Sequence, residues 1–244
     1  MAAASCFNMS KENSNYSRIS KLVIDGATWV LRDVFDNIHK PQPLHAFLID
    51  PINHTILKKL KKARKLTVPQ WNKLYPTDPT KVDSSSFDIS LLCALLRSIC
   101  NLPSPTGGWN NPPASTETNT QDDLVRIRLW RNELIGHAPK AALSDVEFNK
   151  YWDEIKNVLV RLGGAKYQPD IDKLKVVSMD PEDEEYYNEC IEEWDKSDEK
   201  VIKALEATEE RLMHKIDETN RKLDELQASS RASDPDTSIQ GIRH

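Results

Sequence analysis

One stretch of the chain carries residue types that can hold an anion and move a proton: Arg126-Ile-Arg128-Leu-Trp-Arg131-Asn132-Glu-Leu-Ile-Gly136-His137. On a helical wheel at about 100° per residue, Leu124, Ile127, Trp130, Leu134 and Ile135 gather on one side, and Arg131 falls among them. A guanidinium turned towards an apolar cluster needs an anion, because an unpaired buried charge is strongly disfavoured. That anion is either a carboxylate from a neighbouring helix, with Asp88 and Glu154 as examples, or a phosphate, which arginine grips bidentately. His137 lies six residues on. Gly136 and Pro139 predict that the helix ends here, which puts the imidazole at the helix end or just past it, and a helix C-terminus favours the charged form. Histidine is well suited to proton transfer near neutral pH, and Asn132 is placed to orient it. Cleaving RNA needs a base for the 2′-hydroxyl, an acid for the leaving oxygen and a cation on the phosphate. One Arg and one His do not supply all three; two copies facing each other across a homodimer could. The plainer alternative is an internal Arg–carboxylate pair, with His137 as a helix-end cap.

A second stretch, Lys58-Lys59-Leu-Lys61-Lys62-Ala-Arg64-Lys65, holds six cations in eight residues. Such a run can follow a single-stranded RNA backbone or serve as a nuclear signal. It can equally be the solvated face of a helix whose Ile56, Leu57 and Leu60 point inward. The absence of aromatic residues beside the run favours the solvated face, since bases need rings to stack on. Arg126 and Arg128 flank the motif and could widen a phosphate-binding rim; otherwise they form surface salt bridges worth little.

The elements that must position these groups read as helices. Ser17 to Ile38 carries apolar residues at helical spacing, and Pro41 and Pro43 end it. Ile52 to Lys65 is a short basic helix, and Thr67-Val-Pro69 is a helix start with Pro just inside. Phe87 to Cys100 is apolar on nearly every face, as a helix in a bundle centre is. A long Pro/Gly/Asn/Ser/Thr-rich loop follows, Pro103 to Thr120; its Trp109 is either a lid on the motif or a plug for the core. Asp122 to Ile135 is the motif helix. Ser144 and Glu147 form a capping box that opens an amphipathic helix ended by Gly163-Gly164. His39, His45 and His54 fall in a Pro-interrupted loop whose irregular spacing argues against metal ligation.

Charge divides the chain. Residues 1–181 hold 24 basic and 19 acidic residues, whereas 182–225 hold 17 acidic and 7 basic. The acidic part reads as one long helix. Val201, Leu205, Thr208 and Leu212 make a coiled-coil seam with a stutter at Ile216, and Leu223 and Leu226 continue it. Self-association or partner binding is one reading of this helix. The other is a single helix packed on the bundle through Tyr186, Tyr187, Ile191 and Trp194. The expected organisation is a disordered 1–15, a helical domain over 16–181, the acidic helix or coiled coil over 182–228, and a disordered tail over 229–244.

Composition removes other classes. The chain has 7 Gly among 244 residues and no G-x-G-x-x-G or G-K-[ST] run, so dinucleotide and P-loop chemistry have no seat. No run of about 18 apolar residues exists, so no membrane partner is expected, and Met1 to Ser14 lacks the apolar core of a secretory signal. Cys6, Cys93, Cys100 and Cys190 form no C-x-x-C pair; buried free thiols in a reducing cytoplasm fit them, without metal or other cofactor. With no strand alternation, the fold class is all-α.

The residues also resemble a known family. Arg131-Asn132 with His137 is similar to the R-x(4–6)-H motif of HEPN domains, and resembles in particular the HEPN domain of DAZ-interacting zinc-finger ubiquitin ligases. The resemblance runs through Leu66-Thr-Val-Pro-Gln-Trp71, Phe87 to Arg97, Gly108-Trp109, Arg126 to His137, Leu143 to Phe148 with Trp152, Leu162-Gly-Gly164 and Met179-Asp-Pro181. It covers roughly residues 16 to 195. It implies a four- to five-helix bundle, and for members with a working motif a metal-independent endoribonuclease acting as a dimer. Arg131 would then hold the phosphate, His137 would be the acid/base and Asn132 would position it. Many members are implied to bind RNA or to act in immune and ubiquitin signalling without cleavage. No RING-type Cys/His cluster is present, so ligase activity is not expected. Two functions result: an RNA-directed protein with an endoribonuclease centre formed at a dimer, or a non-catalytic scaffold that recruits protein partners through the C-terminal helix.

Overall fold

A computed structural model describes residues 10–40, 43–137 and 141–180, then 182–183, 185–187, 189–193, 196, 214–222 and 225; at 135–137 it describes the backbone alone. Residues 1–195 form one compact unit and 196–244 another. The described residues are helical or irregular, with no strand among them, so the fold is an all-α bundle.

Helix α1 (Lys11–Lys21) starts where the Ser10 side chain accepts the Asn13 N–H. Order therefore begins inside the stretch expected to be disordered, because Asn15 is buried, donating its amide to the Leu143 carbonyl and the Asp145 carboxylate. Residues 1–9 lie outside the described residues. α1 runs through a single π-turn, Leu22–Gly26, into α2 (Ala27–His39). At Gly26 a Cβ would sit 3.2 Å from Leu22 Cδ1, so a larger residue there needs the leucine side chain to give way slightly.

The expected Pro-interrupted loop is instead helical. His39 closes α2, His45 lies in α3 (Leu44–Ile49) and His54 in α4 (Pro51–Lys62). Asp50 accepts from Ile52 N and Asn53 N, and Pro51 at the first helical position starts α4. α4 ends without glycine. Arg64 takes a left-handed φ of 56°, and Lys65 N reaches back to Leu60 O at 2.9 Å, a Schellman closure. Thr67 and Gln70 form the capping box of α5 (Val68–Leu74).

Helix α6 (Ile89–Ile99) is the centre of the bundle: Ile89, Leu91, Leu92, Leu95, Leu96 and Ile99 are all buried. Asp88 caps it, accepting from Leu91 N at 2.8 Å and from the Gln70 amide. α2, α4 and α7 (Thr120–His137) all pack on α6, while α8 (Asp145–Gly163) packs on α1, α2 and α7. Trp152, fully buried, anchors α8, and Gly164 at φ 86° ends it. α9 (Gln168–Val176), which no periodicity announced, follows a short 3₁₀ turn and packs against α8.

The first part of the acidic segment belongs to the bundle unit. Tyr187 and Ile191 are buried, Tyr187 donates to Asp25 Oδ2 at 2.5 Å, and Asp183 pairs with Lys21 at 2.8 Å. Tyr186 stays exposed and Trp194 lies outside the described residues. Of the expected coiled-coil seam, Val201, Leu205, Thr208, Leu212, Leu223 and Leu226 also lie outside them. Ile216 is described, on a helical stretch over 214–222, and is exposed. Among the described residues no helix is long and apolar enough to cross a membrane.

Candidate functional site

Two groups of residues were predicted to meet an anion, and they sit on different helices, both packed on α6. The first is on α7. Its start is fixed by Asp122, whose Oδ2 accepts from Asn119 N, and by two acids in its first turn, which suit the positive end of the helix dipole. Gly136 does not stop the helix, as the sequence had suggested; α7 continues to His137. Six residues of α-helix separate Arg131 from His137, a rise of about 9 Å and a rotation of about 120°. The His137 side chain lies outside the described residues.

Leu124, Ile127, Trp130 and Leu134 are buried, as the wheel predicted, and Arg131 lies at the edge of that face, half-buried. Arg131 Nη1 donates to Asn132 Oδ1 at 3.2 Å, and Asn132 is exposed. Of the two carboxylates considered as internal partners, Asp88 caps α6 and Glu154 is exposed. Across α6 the guanidinium is felt by Cys93. Burial pushes that thiol up to about 12, with Arg131 and Arg128 pulling the other way and Asp88 adding to the rise. Cys100, also enclosed, is raised to about 12 by burial. Both are free thiols, unreactive at neutral pH.

Arg126 and Arg128 make internal contacts. Arg126 donates to Asp123 Oδ1 at 2.8 Å and to the Ala114 carbonyl at 2.6 Å. Asp123 is 1% exposed and also receives the fork of Arg161, at 2.9 and 2.7 Å. Arg128 donates to the Trp109 carbonyl at 2.7 Å, while Arg97 lies 5.1 Å over the Trp109 ring. The 103–120 loop is thus held to α6 and α7 by three arginines, and Trp109 rests half-buried against the core.

The second group lies on the last turns of α4 and on the left-handed turn that closes it, where the structure ends the helix at Lys62 and not at Lys65. Lys58, Lys59, Lys61, Lys62, Arg64 and Lys65 are all exposed, and among the described residues none of the six is in an ion pair. Aromatic residues do lie beside them, contrary to the expectation from the linear sequence. α5 folds back so that Trp71 and Tyr75 pack 4.5 Å apart, His54 meets Tyr75 edge-on at 5.0 Å, and Lys61 Nζ sits 4.2 Å over the Trp71 ring. The signal for this was the Trp71/Tyr75 pair one helical turn apart directly after a capped start.

Elsewhere, an open apolar groove of about 450 Å³ lies between the π-turn and α9, lined by Trp29, Ile171, Leu174 and Val177 among others, and no motif residue lines it. Among the described residues no cluster of His, Cys, Asp or Glu could hold a metal ion.

The family model described as DZIP3/hRUL138-like HEPN matches residues 41–187. The human E3 ubiquitin-protein ligase DZIP3 is 30% identical over 166 residues, and the mouse protein of the same name 29% over 166. These cover 67% of this chain and 13% of each ligase, so the chain matches a small part of those relatives' length. No solved structure matches. Residues 41–187 take in α3 to α9, the motif helix and the basic helix alike; the chain belongs to the DZIP3/hRUL138-like HEPN family.

Proposed function

We propose that this chain is an RNA-directed domain, and that Arg131, Asn132 and His137 form half of a metal-independent endoribonuclease site completed by a second copy. The observation that carries the RNA-directed reading is α4: six exposed cations without carboxylate partners among the described residues, next to aromatic rings. Cations already paired internally gain little from a phosphate; unpaired ones release counterions when a polyanion binds.

The continuity of α7 supports the dimeric form of this reading, since six helical residues set the backbones of Arg131 and His137 about 9 Å and 120° apart. In this reading the Arg131 of one copy and the His137 of the other meet one phosphate across a twofold axis. One imidazole takes the 2′-hydroxyl proton, the 2′-oxygen bonds to phosphorus, and the bond from phosphorus to the 5′-oxygen breaks as that oxygen is protonated by the second imidazole. The products are a 2′,3′-cyclic phosphate and a 5′-hydroxyl. Arg131 holds the phosphoryl charge.

The test is single-stranded RNA with purified protein in excess EDTA. Fragments ending in 2′,3′-cyclic phosphate are expected, and His137→Ala should abolish them. A second reading, a non-catalytic scaffold joining protein partners through the charged C-terminal helix, draws on the internal engagement of Arg126 and Arg128. No cutting at protein concentrations high enough to force dimers would decide for the scaffold.

A further inference from the structure

Beside the basic face of α4 lies a cluster that the R-x5-H motif does not use. His54 Nδ1 is 2.9 Å from Tyr75 Oη, and Tyr75 Oη is 2.9 Å from the Leu48 carbonyl at the end of α3. The carbonyl has no proton to give and the phenol has one. Both contacts are hydrogen bonds only if Tyr75 donates to Leu48 and accepts from an Nδ1–H. That fixes the His54 tautomer, with the lone pair on Nε2. Burial, with the nearby Lys58 charge, holds His54 below the ordinary histidine range, so the ring is neutral at neutral pH. Nε2 makes no hydrogen bond among the described residues and is not a buried atom, so it meets solvent as an acceptor.

Three chemical features therefore share one surface: unpaired ammonium groups, an indole face and a single oriented acceptor. Trp71 is the indole. Its ring is packed on Tyr75, lies 6.2 Å from His54 and carries the Lys61 ammonium 4.2 Å above it. An ammonium on a half-exposed ring is held weakly and can leave it. A carboxylate-rich partner would match the lysines but would meet a lone pair at His54. A deoxyribose strand would match the lysines and the indole but has no hydroxyl to give. A ribonucleotide supplies all three complements: a phosphate, a flat ring and a 2′-hydroxyl donor.

We propose that Lys61, Trp71, His54 and Tyr75 form a ribonucleotide-reading site for single-stranded RNA. A base replaces the Lys61 ammonium on Trp71, Lys61 turns to the phosphate, and His54 Nε2 accepts the 2′-hydroxyl. Tyr75 is a positioning residue that sets the tautomer. This rests on the RNA-directed reading above and adds where and how the chain tells RNA from DNA; it requires nothing of the cleavage motif.

The experiment uses the full-length chain carrying His137→Ala, so that no cleavage interferes, and fluorescence anisotropy with a labelled, unstructured 12-nucleotide RNA. The same sequence as DNA and as 2′-fluoro RNA gives the comparison, read at several salt concentrations. RNA should bind about tenfold tighter than either analogue, as loss of one hydrogen bond to an oriented acceptor implies. Trp71→Ala should weaken RNA and DNA alike by about tenfold. His54→Phe, which keeps a ring in place, should bring RNA down to the DNA affinity and leave DNA within twofold. The analogue comparison needs no substitution, so a variant that fails to fold leaves the test intact. Equal affinity for RNA, DNA and 2′-fluoro RNA overturns the site while the RNA-directed reading stands as backbone binding. So does RNA preference that survives His54→Phe in a folded variant. No RNA binding at low salt overturns both.

Discussion

Two arginine- and lysine-rich helices flank α6, and they treat their charges in opposite ways. On α7, Arg126 is bonded to Asp123 and Ala114, Arg128 to Trp109, and Arg131 to Asn132. On α4 and its closing turn, six cations are exposed, Lys61 over the Trp71 ring, with no ion pair among the described residues. The contrast separates charge that builds the molecule from charge that is available to a ligand. Asp123 shows the first kind. At 1% exposure it gathers two guanidinium groups and thereby ties the 103–120 loop, through Arg126, to α7 and α8. The second kind has no structural duty to α4, whose attachment to the core is the buried Leu57 and the half-buried Ile56 and Leu60.

The largest effect expected from breaking this contrast is at Asp123. Asp123→Asn leaves Arg126 and the partly exposed Arg161 facing a neutral acceptor, and should lower stability by about 2 kcal/mol, as loss of hydrogen bonds to a buried charged group does. Urea unfolding measures it. A loss under about 1 kcal/mol would mean that the cluster behaves like surface pairs and that the α7 arginines are not structural.

The next effect is on α4 and should appear only in binding. Replacing Lys58, Lys59, Lys62 and Lys65 by Gln should leave the unfolding midpoint unchanged and flatten the salt dependence of RNA binding. Each lysine removed should take about 0.7 from the slope of log K against log salt for a single strand, provided it contacts a phosphate. Arg128→Gln is the counterpart on α7. It should leave that slope alone, cost about 1 kcal/mol through the lost Trp109 contact, and speed hydrogen exchange or proteolysis across 103–120. If Arg128→Gln changes the salt slope as much as a lysine does, the division between the two helices is wrong.

Much of this was legible in the linear sequence where local chemistry decides local structure. The Ser144/Glu147 box and the Thr67-Val-Pro69 start open their helices, and the apolar run of Phe87 to Cys100 does become the bundle centre. What escaped was decided by distant residues. Gly136 carries a stop signal in isolation, yet α7 continues through it. α3 is six residues long between prolines and has no periodicity to read, and α9 is held by contacts with α8 and the π-turn. The same limit hid the aromatic neighbours of α4. Trp71 is ten residues from Lys61, and only the left-handed turn at Arg64 and the capped start at Thr67 bring its ring under the ammonium. Of the motif, the wheel placed Arg131 on the face where it lies, half-buried and with its Nε enclosed.

The smallest effect concerns acid. α4 contributes cations without carboxylate partners, so it should add nothing to the loss of stability at low pH. That loss should come from carboxylates held below their ordinary range by what they touch. Asp33 is one: Lys166 first, and then the Tyr167 hydroxyl at 2.6 Å, lower its pKa. Asp145, bonded by Lys11 and Asn15, is another. A carboxylate whose folded pKa lies below its unfolded value adds stability above the unfolded value and loses it as pH falls through the folded one. The window is therefore below about pH 4, the ordinary aspartate range. Asp33 is well exposed, so its share is under about 1 kcal/mol. Lys166→Ala should lower stability at pH 7 by that small amount, and the difference from wild type should shrink as pH falls below the ordinary aspartate range and Asp33 takes up its proton. The α4 lysine-to-glutamine protein should show the wild-type acid profile throughout. An altered profile in that protein would mean that its lysines do have acidic partners in the folded state, and their availability to a phosphate would then be lost.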